Sequence, residues 1–201
     1  MIALYYALQT RSLRALWMLE EIGQPYERKR IDIHAADHPT ADFLRVSPLG
    51  KVPAIADGPT TVAESGAVLF YLAERFPQAK LAPPPGDPRR GRYLQWLFFA
   101  AANVEPAYMA KLRGIDLPHS TAGWGSFDHM IQVIEQALTP GPWIVGEQFT
   151  AVDVLLGSDL YFGQEVMKIV PHRPAIDAYL DRCRERPALH RAIAIDSGKV
   201  A

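Results

Sequence analysis

Residues 47–55 read Ser47-Pro48-Leu49-Gly50-Lys51-Val52-Pro53-Ala54-Ile55, and this run decides the fold. Pro53 follows a β-branched residue and opens a short apolar run to Ala56 that has the composition of a strand. A proline cannot donate to a ladder, so it belongs at a strand's first residue, on an edge or in a turn. A cis Val52–Pro53 bond turns the chain sharply and leaves the N–H and C=O of Val52 facing outward. A backbone pair presented in that way binds a short extended peptide as an added strand. Further on, residues 62–68 (Val62, Ala63, Glu64, Ser65, Gly66, Ala67, Val68) pass from strand to helix, with Glu64 and Ser65 at the helix start. Free N–H groups and a partial positive charge at a helix N-terminus favour carboxylates. Helix capping is the simpler role for the same two residues.

Working outward, Ile2 to Tyr6 reads as a buried strand and Gln9 to Ser12 as a polar turn. Leu13, Leu16, Trp17, Leu19 and Ile22 have helical spacing, with Glu20 and Glu21 expected to face water and Gly23 to stop the helix. Tyr26 to Ile33 mixes apolar and charged residues as an edge strand does, and Asp37 to Val46 is a loop with a short helix. Strands near Pro53–Ala56 and Thr60–Ala63 and a helix from Ser65 to Phe76 complete the order β-α-β, short α, β-β-α. The expected fold is therefore α/β plus all-α. A thioredoxin-like domain spans residues 1–78, and a linker over 79–87 carries Pro83, Pro84, Pro85 and Gly86. An all-helical domain spans 88–201.

In that second part, Arg89 to Arg113 reads as one long helix, apolar nearly all round between Tyr93 and Ala102. Such a helix is buried on more than one side: against its own domain and, by expectation, against a second copy of the chain. Trp124 to Leu138 is another amphipathic helix. Thr150 to Asp153 forms a capping box, with Phe149 and Val154 placed as a hydrophobic staple, and its role is folding. Pro174 to Arg186 and Pro187 to Ile195 are the last helices, with Arg182, Arg184, Arg186 and Arg191 read as a solvated face. Arg89, Arg90 and Arg92 read the same way.

The bulk properties narrow the function. Of 201 residues, 49% are hydrophobic and 21% charged, an ordinary globular balance, and the net charge of −1 gives no field that draws nucleic acid or an anionic membrane. A single cysteine, Cys183, excludes an internal disulfide and suits a reducing compartment. The first apolar run, Met1 to Leu8, is too short for a signal sequence or a membrane span, so a cytoplasmic protein is expected. His34 and His38 have i,i+4 spacing, but Pro39 breaks a helix through them and no third ligand follows, so no metal site is expected.

The run S-P-L-G-K-V-P-A-I followed by E-S-G-A-V resembles the soluble glutathione transferases, in a bacterial-type form, and the likeness extends over nearly the whole chain. The resemblance implies that Val52 and Pro53 hold the cysteinyl part of glutathione and that Glu64 and Ser65 hold its γ-glutamyl end. Lys51 and His38 match positions that reach the glycyl carboxylate, while Gly66 stands where other members carry an arginine. It implies glutathione as co-substrate, a homodimer, and conjugation of the glutathione thiolate to a small hydrophobic electrophile. The alternatives are glutathione-dependent peroxide or disulfide reduction, or a non-catalytic binding or regulatory protein of the same fold.

Such enzymes need a thiolate, and a free thiol near pKa 8.5 is only a few per cent ionised at neutral pH. A hydroxyl donating to the sulfur beside a helix N-terminus stabilises the anion. Thr10, Ser12 and Tyr5 are the available hydroxyls. By the resemblance Thr10 falls on the serine of serine-type members and Tyr5 on the tyrosine of tyrosine-type members. The cysteine of cysteine-type members falls near Arg11. Capping remains open for Thr10 and is favoured for Ser12, and a core aromatic is favoured for Tyr5. Phe99, Asn103, Tyr108 and Trp124 are the expected lining for the hydrophobic substrate, with core packing as the other account.

Overall fold

The structure, a computed structural model, describes residues 1–199. Its first unit joins Met1–Lys80 to the segment that begins at Arg186, and its second is Leu81–Glu185. In the first unit, β1 (Ile2–Tyr6) buries Ile2, Ala3, Leu4 and Tyr6 and lies inside the sheet. It pairs in parallel with β2 (Glu27–Arg30) and antiparallel with β3 (Ala54–Asp57), and β3 pairs antiparallel with β4 (Thr60–Ala63). The resulting order is β2-β1-β3-β4. Glu27, Lys29 and Arg30 are exposed, as befits the edge, and β2 is shorter than its sequence pattern suggests.

Helix α1 (Ser12–Ile22) follows β1 and buries Leu16, Trp17, Met18 and Leu19. Gly23, left-handed at φ +70°, closes it with its N–H on the Leu19 carbonyl. The short α2 (Ala41–Leu44) is capped by Thr40, and α3 (Ser65–Arg75) buries Val68, Leu69, Leu72 and Ala73 against the sheet and α1.

Two expectations fail here for one reason. Glu20 and Glu21 do not face water: their side chains are 17% and 8% exposed. Arg186 grips Glu21 through two bonds of 2.6 and 2.7 Å, Trp17 Nε1 donates to the same carboxylate, and Arg191 and Tyr26 bond to Glu20. Arg186 and Arg191 are therefore clasps rather than a solvated face, and they fasten α9 (Pro187–Asp196) along α1, where Leu189, Ala192 and Ile195 are buried. The last helix thus groups with the sheet, not with the helices that precede it, in contrast to the expected span of 88–201.

In the second unit, α4 (Arg90–Phe99) runs through a wide π-helical turn (Ala100–Val104) into α5 (Glu105–Arg113). Pro106 has no N–H and its ring crowds the carbonyl four residues back, which the wider turn relieves. Tyr93, Trp96, Leu97 and Ala100 are buried, but Phe98 is 69% exposed, so one apolar side of this helix stays uncovered within the chain. Arg90 and Arg92 bond backbone carbonyls of Pro83, Ile144 and Ala137, and Arg89 pairs with Asp87, so these arginines also hold structure.

Helix α6 (Phe127–Leu138) starts later than expected, because the Ser126 hydroxyl accepts the His129 N–H and Gly125 breaks the chain at φ +70°, leaving Trp124 in the loop. Helix α7 (Ala151–Tyr161) is buried nearly all round, and α8 (Pro174–Arg184) packs on it. Arg182 and Arg184 on α8 are occupied too, by the Pro142 carbonyl and by Asp181 and Glu165.

The expected capping box stands at the start of α7. Asp153 accepts from the Thr150 N–H (2.8 Å) and hydroxyl (3.1 Å), the Ile144 N–H (3.0 Å) and the Tyr179 hydroxyl (3.1 Å). Burial nevertheless pushes its carboxyl up to about 6 against the pull of those donors. Among the described residues no helix is long and apolar enough to cross a membrane.

Candidate functional site

Three backbone features of the first unit carry the candidate site. The first is the turn between β1 and α1. Gln9 is left-handed at φ +55°, a conformation that costs a non-glycine residue on the order of 1 kcal/mol. The Thr10 Oγ1 accepts the Ser12 N–H (3.1 Å) and lies 2.8 Å from the Ala7 carbonyl and 2.9 Å from the Ser12 Oγ. The Ser12 Oγ in turn accepts the Ala7 N–H (3.2 Å). Ser12 has no exposed surface, whereas Thr10 is half-buried. Ser12 therefore knots the turn from inside, and Thr10 is the hydroxyl with a solvent-facing side. Arg11, exposed, precedes α1 without a side-chain cap bond.

The second feature is the edge before β3. The Val52–Pro53 bond is cis, as the sequence leads one to expect, and so is His38–Pro39. The loop leading to Val52 is tied down on both sides. Buried Ser47 donates to the Lys51 carbonyl (2.7 Å) and accepts the Lys51 N–H (3.1 Å), and Gly50 donates to the Ser47 carbonyl (2.8 Å). Gly50 is left-handed at φ +63°, and a Cβ there would stand 2.7 Å from Pro39, so the position admits only glycine. The His38 Nε2 lies 3.2 Å from the Gly50 carbonyl and its ring rests on Phe43, while the Lys51 side chain is exposed. Amid this bonding, the N–H and C=O of Val52 have no hydrogen-bond partner among the described residues, since ladder pairing begins at Ala54.

The third is the tip of α3. Glu64 stands at φ +69°, ψ +123°, with no side-chain cap bond, so its place is not explained by capping. A non-glycine residue in so sparsely populated a region costs about 1–3 kcal/mol, and such strain concentrates at ligand clamps. Ser65 opens the helix, and its Oγ accepts from the Arg14 Nη1 at 3.3 Å. Arg14, only 6% exposed, is the residue the sequence argument passed over. Its signal was a lone cation on the apolar face of a helix (Ser12-Leu13-Arg14-Ala15-Leu16), where a charge survives only with partners.

Tyr5 belongs to the wall rather than to the tip of this site. It packs in the cluster of Phe43, Val46 and Ala54, stacks on Phe43 at 5.9 Å, and carries Lys29 Nζ 5.3 Å from its ring centre. In the second unit the four residues expected to line a substrate pocket have different surroundings. Phe99 lies against Trp96 with ring centres 4.7 Å apart, and Asn103 faces Gly123. Tyr108, 2% exposed, is wedged between Phe127 and the space beside Gly163. Trp124 alone of the four lines a cleft of about 660 Å³, together with Lys111, Ile115, Leu117, His119 and Phe127.

A family model for the glutathione S-transferase N-terminal domain matches residues 2–74. Among curated proteins, the chain is 26% identical to the glutathione S-transferase GstA of Escherichia coli, over 98% of this chain and 99% of that one. It is 27% identical to the disulfide-bond oxidoreductase YfcG of Escherichia coli (96% and 94%) and 31% identical to the glutathione S-transferase-like protein gedE of Aspergillus terreus (70% and 69%). Among solved structures, a sphingomonad glutathione S-transferase complexed with glutathione superposes with a TM-score of 0.78 at 27% identity, covering 97% of this chain and 98% of that one.

Proposed function

The chain belongs to the glutathione transferases, and from that premise we propose that it holds reduced glutathione on the Val52 edge and delivers the thiolate to a small hydrophobic electrophile. The observation that carries this reading is the unpartnered backbone of Val52 at the end of a loop that Ser47 and Gly50 pin in place. It offers one donor and one acceptor to the cysteinyl unit of an extended peptide. The α3 tip, with the Ser65 Oγ, the free N–H groups of its first turn and the buried charge of Arg14 beneath, takes the γ-glutamyl carboxylate. Exposed Lys51 takes the glycyl carboxylate, with His38 holding the loop it stands on.

Thr10 then donates to the sulfur. Re-aiming its proton gives up the bond to Ala7, worth about 1 kcal/mol, for one to an anion, worth about 1.5–3 kcal/mol. The net gain lowers the thiol pKa by roughly one unit, and a second unit, about 1.4 kcal/mol, is asked of the α1 N-terminus and Arg14. The thiolate attacks an electrophilic carbon, the new S–C bond forms, and the leaving group departs with the electron pair. Phe98, exposed on α4, is the face we assign to a second copy of the chain, and sedimentation as a dimer is the expected result. A reducing cytoplasm is the setting that keeps the co-substrate reduced.

A second reading rests on the likeness to YfcG and on a thiolate turn that contains no cysteine. Bound glutathione attacks a disulfide, one thiol leaves, and a second glutathione resolves the mixed disulfide to oxidised glutathione and the other thiol. Calorimetry with reduced glutathione tests the grip. Turnover of a chloronitrobenzene against that of a small disulfide separates the two reactions. Saturable binding with conjugation favours the first reading, disulfide turnover alone favours the second, and no binding overturns both.

A further inference from the structure

Asp196 is the last residue of α9, and its Oδ1 accepts the backbone N–H of Gln9 at 3.0 Å, across 187 residues of sequence. Gln9 immediately precedes Thr10. Just beyond Asp196, Gly198 comes up against Leu8, so the end of α9 touches the β1–α1 turn twice. None of the local features at this contact is favourable by itself. A carboxylate at a helix C-terminus opposes the helix dipole. Asp196 is half-buried, and burial pushes its carboxyl up while the Gln9 N–H pulls it down. Gln9 is held left-handed. Local rules broken together at one point, with a single bond joining them, mark a place shaped by function rather than by folding.

We propose that Asp196 is a positioning residue for the thiolate: by fixing the Gln9 backbone it sets the turn that aims Thr10. Inside the turn, the mutual bonds of Thr10, Ser12 and Ala7 define its shape, and Asp196 anchors that shape to the clasped pair α1 and α9. The inference rests on the reading of Thr10 given above, and its test separates the two.

Two variants isolate the hydrogen bond from the charge. Asp196→Asn keeps an acceptor for Gln9 and removes a negative charge, whereas Asp196→Ala removes both. The pKa of the thiol in bound glutathione, followed by thiolate absorbance, and the KM and kcat for conjugation are measured for each. Loss of a charge near the sulfur can only lower the thiol pKa, so a rise in Asp196→Ala relative to Asp196→Asn reports the lost bond. The expected result is a pKa higher by roughly half a unit to one unit in Asp196→Ala than in Asp196→Asn, and kcat roughly two- to fivefold lower near pH 6.5. Glutathione KM should stay within about twofold and the Asn variant should retain most of the turnover. Hydrogen exchange of residues 7–12 should quicken in the Ala variant only. Normal glutathione binding with the same thiol pKa in both variants would overturn the inference while leaving the proposed function intact. Absence of glutathione binding in the unaltered protein would overturn the function and the inference with it.

Discussion

Two threonines stand at two helix starts in this molecule, and they have opposite fates. Thr150 has no exposed surface; Asp153 three residues on returns its bond, and Ile144 and Tyr179 complete the set of donors around that carboxylate. Thr10 has no acid three residues on, since Leu13 stands there, and its hydroxyl is half-buried with Arg11 beside it in solvent. At the start of α7 the side chains of Thr150 and Asp153 are both spent on the fold. At α1 the buried share of that work falls to Ser12, which leaves Thr10 with a face toward solvent. The residue type is the same, and what differs is whether the neighbours close the site or leave it open.

That contrast can be broken at its closed end first. Asp153→Ala strands the Ile144 N–H, the Thr150 N–H and the Tyr179 hydroxyl in the core. It should cost about 3–5 kcal/mol in urea unfolding, with glutathione binding by the folded fraction unchanged. The next effect depends on pH. The Asp153 carboxyl titrates near 6 when folded and near its ordinary value when unfolded, so the folded state holds the extra proton between those values. Its contribution is fully present below pH 4 and is lost as pH rises through 6, an order-of-magnitude 3 kcal/mol. The stability difference between the unaltered protein and Asp153→Asn should therefore change steeply from pH 4 to 6.5 and flatten above. A pH-independent difference would show that this carboxylate is ionised throughout.

At the open end the effects are smaller and change character. Ser12→Ala should cost about 1–2 kcal/mol of stability, because the Ala7 N–H is left unpaired, with little direct effect on the thiol pKa. Thr10→Ala should do the reverse: turnover about threefold lower near neutral pH, and stability within about 1 kcal/mol of the starting protein. Equal losses of stability in the two variants would erase the distinction between the knot and the exposed hydroxyl.

Much of this was legible because it is local. Pro53 before an apolar run, the Gly23 stop and the threonine–aspartate spacing at 150–153 each act within a few residues, and each is found where the sequence put it. What escaped was set by partners far away in the chain. Glu20 and Glu21 look like a wet helix face until Arg186 and Arg191, some 165 residues on, arrive to pair with them. The same two contacts moved the last helix to the first unit, which no boundary in composition announces. Arg14 was overlooked because a cation is read as solvated by default, and its burial depends on the distant Ser65. The π-helical turn ahead of Pro106 was visible only as a proline inside an otherwise continuous helix.

The central claim is that the hydroxyl of half-buried Thr10 holds glutathione as its thiolate on the Val52 edge. A pH titration of thiolate absorbance for glutathione bound to the unaltered protein and to Thr10→Ala tests it most directly. The account predicts a bound thiol that ionises about two units below the free thiol, and a return upward by roughly one unit in the variant. A bound thiol that titrates like the free one, or a titration indifferent to the loss of Thr10, would contradict it.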